Sequence, residues 1–111
     1  MKVFISQPMS GRSEEAILKE RIGAIAEILD DYGRDNVEIL NSYFSDDYRV
    51  DFEDMFKDSV VTFDLYWLSQ ALETMAEADV VVMVGDWKKS KGCKIERMCA
   101  KEYDIPIIYM K

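Results

Sequence analysis

Val3-Phe4-Ile5 opens the chain as a short β-rich run, closed by Ser6-Gln7-Pro8-Met9-Ser10-Gly11-Arg12, whose proline and glycine punctuate a turn from strand to helix. From Ser13 the pattern is helical: Leu18, Ile22, Ile25 and Leu29 fall at i, i+4, i+7 and i+11 and predict one inward stripe, with Ser13 as N-cap and Gly33 as stop. Val37-Glu38-Ile39-Leu40 reads as a second strand, short and mostly apolar as a doubly covered strand would be. Leu65, Leu68, Leu72, Met75 and Ala76 predict a second helix, and Val80 to Val84 a buried β-branched strand. After Gly85 to Gly92, a third helix runs to about Tyr103 with Ile95, Met98, Cys99 and Tyr103 inward, and Ile105 to Tyr109 is the last strand.

Between these elements lies an excursion, residues 41–64, with seven acids against Arg49 and Lys57 and with aromatics lacking clean periodicity, read as one or two helical turns. Its length favours a binding, lid or subunit-contact role over free flexibility.

Alternation of strands and helices predicts an α/β fold of three layers, flavodoxin-like or Rossmann-like: about four parallel strands in the order 2-1-3-4, helices on both faces. At 111 residues this is one domain, 1–111. The chain changes direction across the sheet between strands one and three, so a crevice opens at their carboxyl ends. The loops after those strands, 6–12 and 85–92, carry the unusual chemistry.

Composition narrows that chemistry. Twenty-two acidic against 14 basic residues give a formal charge of −8, which disfavours nucleic acid and anionic membrane as partners. The longest apolar run, Val80 to Val84, is far short of a membrane span, and no secretory signal is recognisable after Met1-Lys2, so a cytoplasmic protein is expected. Cys93 and Cys99 stand six apart on one expected helix, about 9 Å of rise, too far for a mutual bridge. The absence of histidine removes histidine triads and histidine-containing zinc sites, leaving carboxylates, tyrosines and lysines for acid and base work.

The loop Ser6 to Arg12 offers two hydroxyls, an amide, a glycine, a guanidinium and a helix amino end, enough to cradle a phosphate or sugar, although a plain capped turn would look similar. It lacks both the P-loop ending and the three-glycine dinucleotide fingerprint. In the second loop, Gly85-Asp86-Trp87 and Ser90-Lys91-Gly92 lead to Glu96, expected about 85° from the centre of the inward stripe among small neighbours. An arbitrary helix glutamate is usually solvated. One beside a sugar-sized cleft can attack an anomeric carbon and form a glycosyl ester, needing neither metal nor cofactor. The acids of 46–54 lack a calcium-loop ladder, so no metal site is assigned. Trp87 and Tyr43 could stack on a base or simply pack.

Val3-Phe4-Ile5-Ser6-Gln7-Pro8-Met9-Ser10-Gly11, Ala78-Asp79-Val80-Val81-Val82, Gly85-Asp86-Trp87, Ser90-Lys91-Gly92-Cys93 and Glu96 together resemble the nucleoside 2-deoxyribosyltransferase-like family, in its short bacterial and phage branch, over nearly the whole chain. The resemblance implies that Glu96 is the nucleophile taking a deoxyribosyl group from a nucleoside or nucleotide. It implies that Ser6, Gln7, Pro8, Met9 and Gly11 line the base and sugar pocket, that Asn41-Ser42-Tyr43, with Asn41 foremost, borders it, and that Gly92 allows close approach; Gly85, Trp87 and Ser90 of the second loop are candidate substrate contacts beside them. Two aspartates of the characterised transferases are replaced, at Ala71 and near Ser90, so Asp79, Asp86 or a residue of 41–64 would have to protonate the base. The alternative expectation is a nucleotide-binding or sensing module without turnover. Eight of the 13 aromatics fall between Tyr43 and Trp67, so at least a homodimer is expected, joined through the excursion and second helix.

Overall fold

In the structure, a computed structural model describing residues 1–110, eight main elements follow in the order β1 (Lys2–Ser6), α1 (Glu14–Tyr32), β2 (Glu38–Ile39), α2 (Asp46–Met55), α3 (Phe63–Met75), β3 (Val80–Val84), α4 (Lys91–Glu102) and β4 (Ile107–Met110). The four strands form one parallel sheet in the order β2-β1-β3-β4, as the alternation of elements predicts. Val3 pairs with Val80 and Ser6 with Met83, so the chain leaves β1 and β3 side by side at their carboxyl ends.

Side-chain alternation along the strands divides the core into two layers. Val3, Ile5, Val80, Val82 and Val84 pack under Ala24 and Ile28 of α1. Phe4, Val81 and Met83 pack on the other face, under Met75 of α3 and Cys93 and Ala100 of α4. All five residues of β3 are buried, which explains why its pattern is continuous rather than alternating. Ser13 caps α1 by accepting from the Ala16 amide, as expected, and Ser45 and Ser90 cap α2 and α4 in the same way.

Two expected stripes are corrected. On α1 the inward residues are Ile17, Arg21, Ala24 and Ile28, whereas Ile22 is 66% exposed and Leu18 lies at the surface. Apolar positions cover a broad arc of this helix, and the sheet meets the edge carrying Ala24, where the backbone can come close. On α4 the inward residues are Cys93, Glu96 and Ala100; Ile95, Met98 and Tyr103, expected inside, are exposed. Small side chains again decide the approach, and hydrophobicity alone picks the wrong side. The second strand is an edge of only two residues with Glu38 in solvent, not a doubly covered strand. The last strand begins two residues later than expected, because the Ile105 amide still serves α4 by donating to the Ala100 carbonyl.

The excursion is more ordered than its sequence suggests. Tyr48, Phe52 and Phe56 recur every fourth residue along α2 and its C-terminal end, and Phe52 lies 4.9 Å from Tyr66 and 5.2 Å from Trp67, ring centre to ring centre. Phe44 closes the group against Trp67 at 5.2 Å. This aromatic cluster holds α2 to the start of α3.

Candidate active site

Glu96 stands on the inward face of α4, not beside it, and is only 8% exposed. The last residue of β1, Ser6, donates its hydroxyl to Glu96 Oε1 at 2.6 Å. Burial pushes the Glu96 carboxyl up to about 7, against the opposing pull of the Ser6 hydrogen bond. The group is thus poised between neutral acid and carboxylate near neutral pH. Cys93, one turn earlier, is also buried; burial raises its thiol, with hydrogen bonds to Ser6 and Ser90 acting the other way. It is an inert packing thiol rather than a nucleophile. One position before it, a Cβ built on Gly92 would meet no atom within 4 Å, so open space adjoins the amino-terminal turn of α4.

A polar brace fixes the two crevice loops. Gln7, buried beside Ser6, donates through Nε2 to the Ile17 carbonyl at 2.8 Å and to Glu20 Oε1 at 2.9 Å. Arg12 closes the loop by donating to the Pro8 carbonyl at 2.8 Å and to the same Glu20 oxygen at 2.9 Å. Burial would raise the Glu20 carboxyl, but hydrogen bonds from Arg12 and Gln7 and the charge of Arg12 hold it below its usual value. The other Glu20 oxygen lies against the loop after β3: a Cβ on Gly85, whose φ is +67°, would come within 2.9 Å of Oε2. Arg12 is therefore occupied by Glu20, and its usefulness to an incoming anion is reduced.

A second polar group lies at the end of β2. Ser42 donates to the Ile5 carbonyl at 3.1 Å and accepts from Arg21 Nη2 at 3.2 Å. Tyr43 donates its hydroxyl to Glu14 in the first turn of α1, and its amide to Asn41 Oδ1 at 3.4 Å. Partial burial, the bond to Glu14 and the charges of Glu14 and Asp46 push the Tyr43 phenol up to about 12. Tyr43 stays protonated and fastens the connection to α1.

Of the residues singled out in the sequence, Ser6 and Glu96 are in contact, Gln7, Pro8 and Gly85 surround the Glu20 brace, and Ser90 and Gly92 begin α4 beside them. Met9 and Gly11 form the outer part of the first loop, where the Met9 carbonyl accepts from the Arg12 amide and a Cβ on Gly11 would meet nothing within 4 Å. Trp87 is engaged elsewhere: its ring lies 5.6 Å from Tyr109 and 5.0 Å from the Arg97 guanidinium, on the β4 side. Two surface depressions, about 400 and 350 Å³, share Arg97 and Lys101 on that same side and do not include Glu96. Asp79 accepts from the Lys2 amide at 2.7 Å, at the opposite end of the sheet, and so cannot serve the crevice. Asp86 is the second residue after β3 and pairs with Lys89 at 3.2 Å. Glu20 and Arg21 were missed because each reads as one more charge on a helix, and nothing in their spacing sets them apart from the other helix charges.

A parallel four-stranded α/β sheet with a buried, hydroxyl-bonded glutamate at its switch point defines this chain's class. Residues 1–109 match the family described as a domain of unknown function, DUF4406, and the chain belongs to that family. No curated protein and no solved structure is significantly similar to it. Among the described residues, no helix is long and apolar enough to cross a membrane, and no group of three acidic or cysteine side chains is gathered to hold a metal ion.

Proposed function

We propose that this protein acts on the N-glycosidic bond of a nucleoside or nucleotide, transferring or hydrolysing its deoxyribosyl group, with Glu96 as nucleophile. The observation that carries the reading is Glu96 itself, buried on the inward face of α4 and hydrogen-bonded to Ser6 beside the open space at Gly92. The Glu96 carboxylate would bond to the anomeric carbon as the base departs with the electron pair of the broken bond and takes up a proton. Asp86, on the loop after β3, is the residue we assign to supply that proton in place of the acids absent at Ala71 and Ser90. Water or a second base then opens the ester.

The resemblance in the two loop motifs supports the same class of substrate. Incubating the protein with deoxynucleosides and their 5'-monophosphates, with and without an acceptor base, separates transfer from hydrolysis; Glu96→Gln should abolish either. Full activity in Glu96→Gln excludes the covalent route.

One observation favours the alternative, a nucleotide-binding or sensing module. Glu96 is enclosed, and neither depression, each lined by Arg97 and Lys101 of α4, includes it. Saturable nucleotide binding with no release of base would establish that reading. In either case we place the protein in the cytoplasm, in keeping with its unpaired cysteines, and as at least a homodimer, in keeping with the exposed Tyr48, Val50, Val61 and Leu65 around α2 and α3.

A further inference from the structure

Arg21 lies in the middle of α1 and is only 6% exposed, yet among the described residues no carboxylate lies within ion-pairing distance of it. Its one hydrogen bond is the 3.2 Å contact from Nη2 to Ser42; Nη1 is buried without a partner. Burial accordingly lowers its pKa, while the neighbouring Tyr43 hydroxyl acts to raise it. A guanidinium enclosed in this way is costly, and an apolar side chain of similar size would pack α1 against β1 more cheaply. The position within the fold is specific. Ser42 ties Arg21 to the carbonyl of Ile5, one residue before Ser6, so the cation sits at the carboxyl end of β1 on the α1 side of the crevice. One turn earlier on α1, the Ile17 carbonyl holds Gln7, whose Oε1 is also buried and unpartnered.

We propose that Arg21 is the anchor of an oxyanion site at the carboxyl end of β1, beside Ser42 and Tyr43, and that its ligand is a phosphate group. Arginine suits this task because its planar fork binds two phosphate oxygens at once and stays charged where a buried lysine would neutralise. Nη1 supplies the free donor, and Ser42 a hydroxyl that can turn from Ile5 to the ligand. Arg12, the more obvious phosphate ligand in the sequence, is held by Glu20, so the cation with no carboxylate partner among the described residues takes the role. That the phosphate belongs to a nucleotide rests on the function proposed above; the oxyanion site itself does not.

Calorimetric titration of the intact protein with inorganic phosphate, a deoxynucleoside 5'-monophosphate and the corresponding deoxynucleoside tests this. Inorganic phosphate and the monophosphate should both bind, the monophosphate at least tenfold more tightly than the nucleoside. Arg21→Met should weaken both phosphate ligands at least tenfold without lowering the melting temperature, and Arg21→Lys should lose less. Phosphate binding alone, without preference for the monophosphate over the nucleoside, keeps the site but removes the nucleotide as its source. No phosphate binding by the wild-type protein, or equal binding by Arg21→Met, overturns the proposal. Should Arg21→Met fail to fold, the Arg21 guanidinium resonance, assigned with Arg21→Lys, must shift on phosphate addition to the wild-type protein; an unmoved signal overturns it equally. Base release lost in Glu96→Gln but phosphate binding unchanged in Arg21→Met refutes this site and leaves the enzyme, whereas phosphate held through Arg21 with no base ever released does the reverse.

Discussion

Ser6 and Glu96 are 90 residues apart in the chain and 2.6 Å apart in the fold, a hydroxyl donating to a buried carboxyl. The bond favours the carboxylate, while burial favours the neutral acid and prevails, setting the group at about 7.

The nucleophilic role proposed for Glu96 predicts a pH-dependent activity with a definite sign. Attack needs the ionised form, so kcat/KM should fall about tenfold per pH unit below 7 and level off above it. A pH–rate profile flat from 5 to 8, about the range over which this group titrates, contradicts the role of Glu96.

Ser6→Ala removes the opposing hydrogen bond and leaves burial in place. The acidic limb should move to higher pH, with activity at pH 7 down severalfold, on the order of one lost hydrogen bond to a charged group, and largely recovered at alkaline pH. An equal loss at every pH would mean that Ser6 positions substrate and does not tune the acid.

Stability carries the opposite trend. Glu96 titrates near 4.5 when unfolded and near 7 when folded, so between those values the folded protein binds the extra proton. That contribution is complete below about 4.5 and is lost as pH rises through 7, amounting to about 3 kcal/mol if no other group compensates. Glu96→Gln should flatten this part of the curve and be the more stable protein at pH 8. Urea denaturation at a series of pH values measures both.

Gly85 should resist substitution for two reasons that act together. Its positive φ disfavours any side chain, and a methyl group would press on Glu20, which fastens Gln7 and Arg12. Gly85→Ala is expected to lose about 1–2 kcal/mol and loosen the first loop. Chemical denaturation together with the amide spectra of residues 7–12 will show it; a stability unchanged within error contradicts the expectation.

Leu65, exposed at the start of α3 beside the aromatic cluster of α2, is the residue on which assembly should depend. Light scattering should report at least two chains, and Leu65→Glu should give a folded monomer. A wild-type protein monomeric at high concentration removes the homodimer.

Strand order, three of the four helices and the adjacency of β1 and β3 were legible because β-branched runs and turn residues alternate cleanly along this chain, whereas α2 read only as one or two turns. Which side of each amphipathic helix faces the sheet was not. Periodicity locates Leu18, Ile22, Ile95 and Met98, but the sheet accepts the side bearing Ala24, Cys93 and Ala100, since close approach outweighs the area of a larger side chain. Glu96 could be nominated from its small neighbours, and its contact with Ser6 follows once β1 and β3 are adjacent. The buried Arg21 and the Glu20 brace depend on loop conformations that no spacing rule encodes. The Tyr48, Phe52 and Phe56 repeat was present in the sequence but hidden by the density of acids around it.

The pairing of β1 with β3 has a consequence for the newly made chain. β1 is made before its neighbour β3, which follows about 75 residues later, and Glu96 comes later still. Until then Ser6 has nothing to bind, and a nascent Glu96 in water is an ordinary weak acid. The contact that sets this carboxyl therefore forms only when the last third of the polypeptide closes over the first, and a chain cut before α4 lacks the carboxyl altogether.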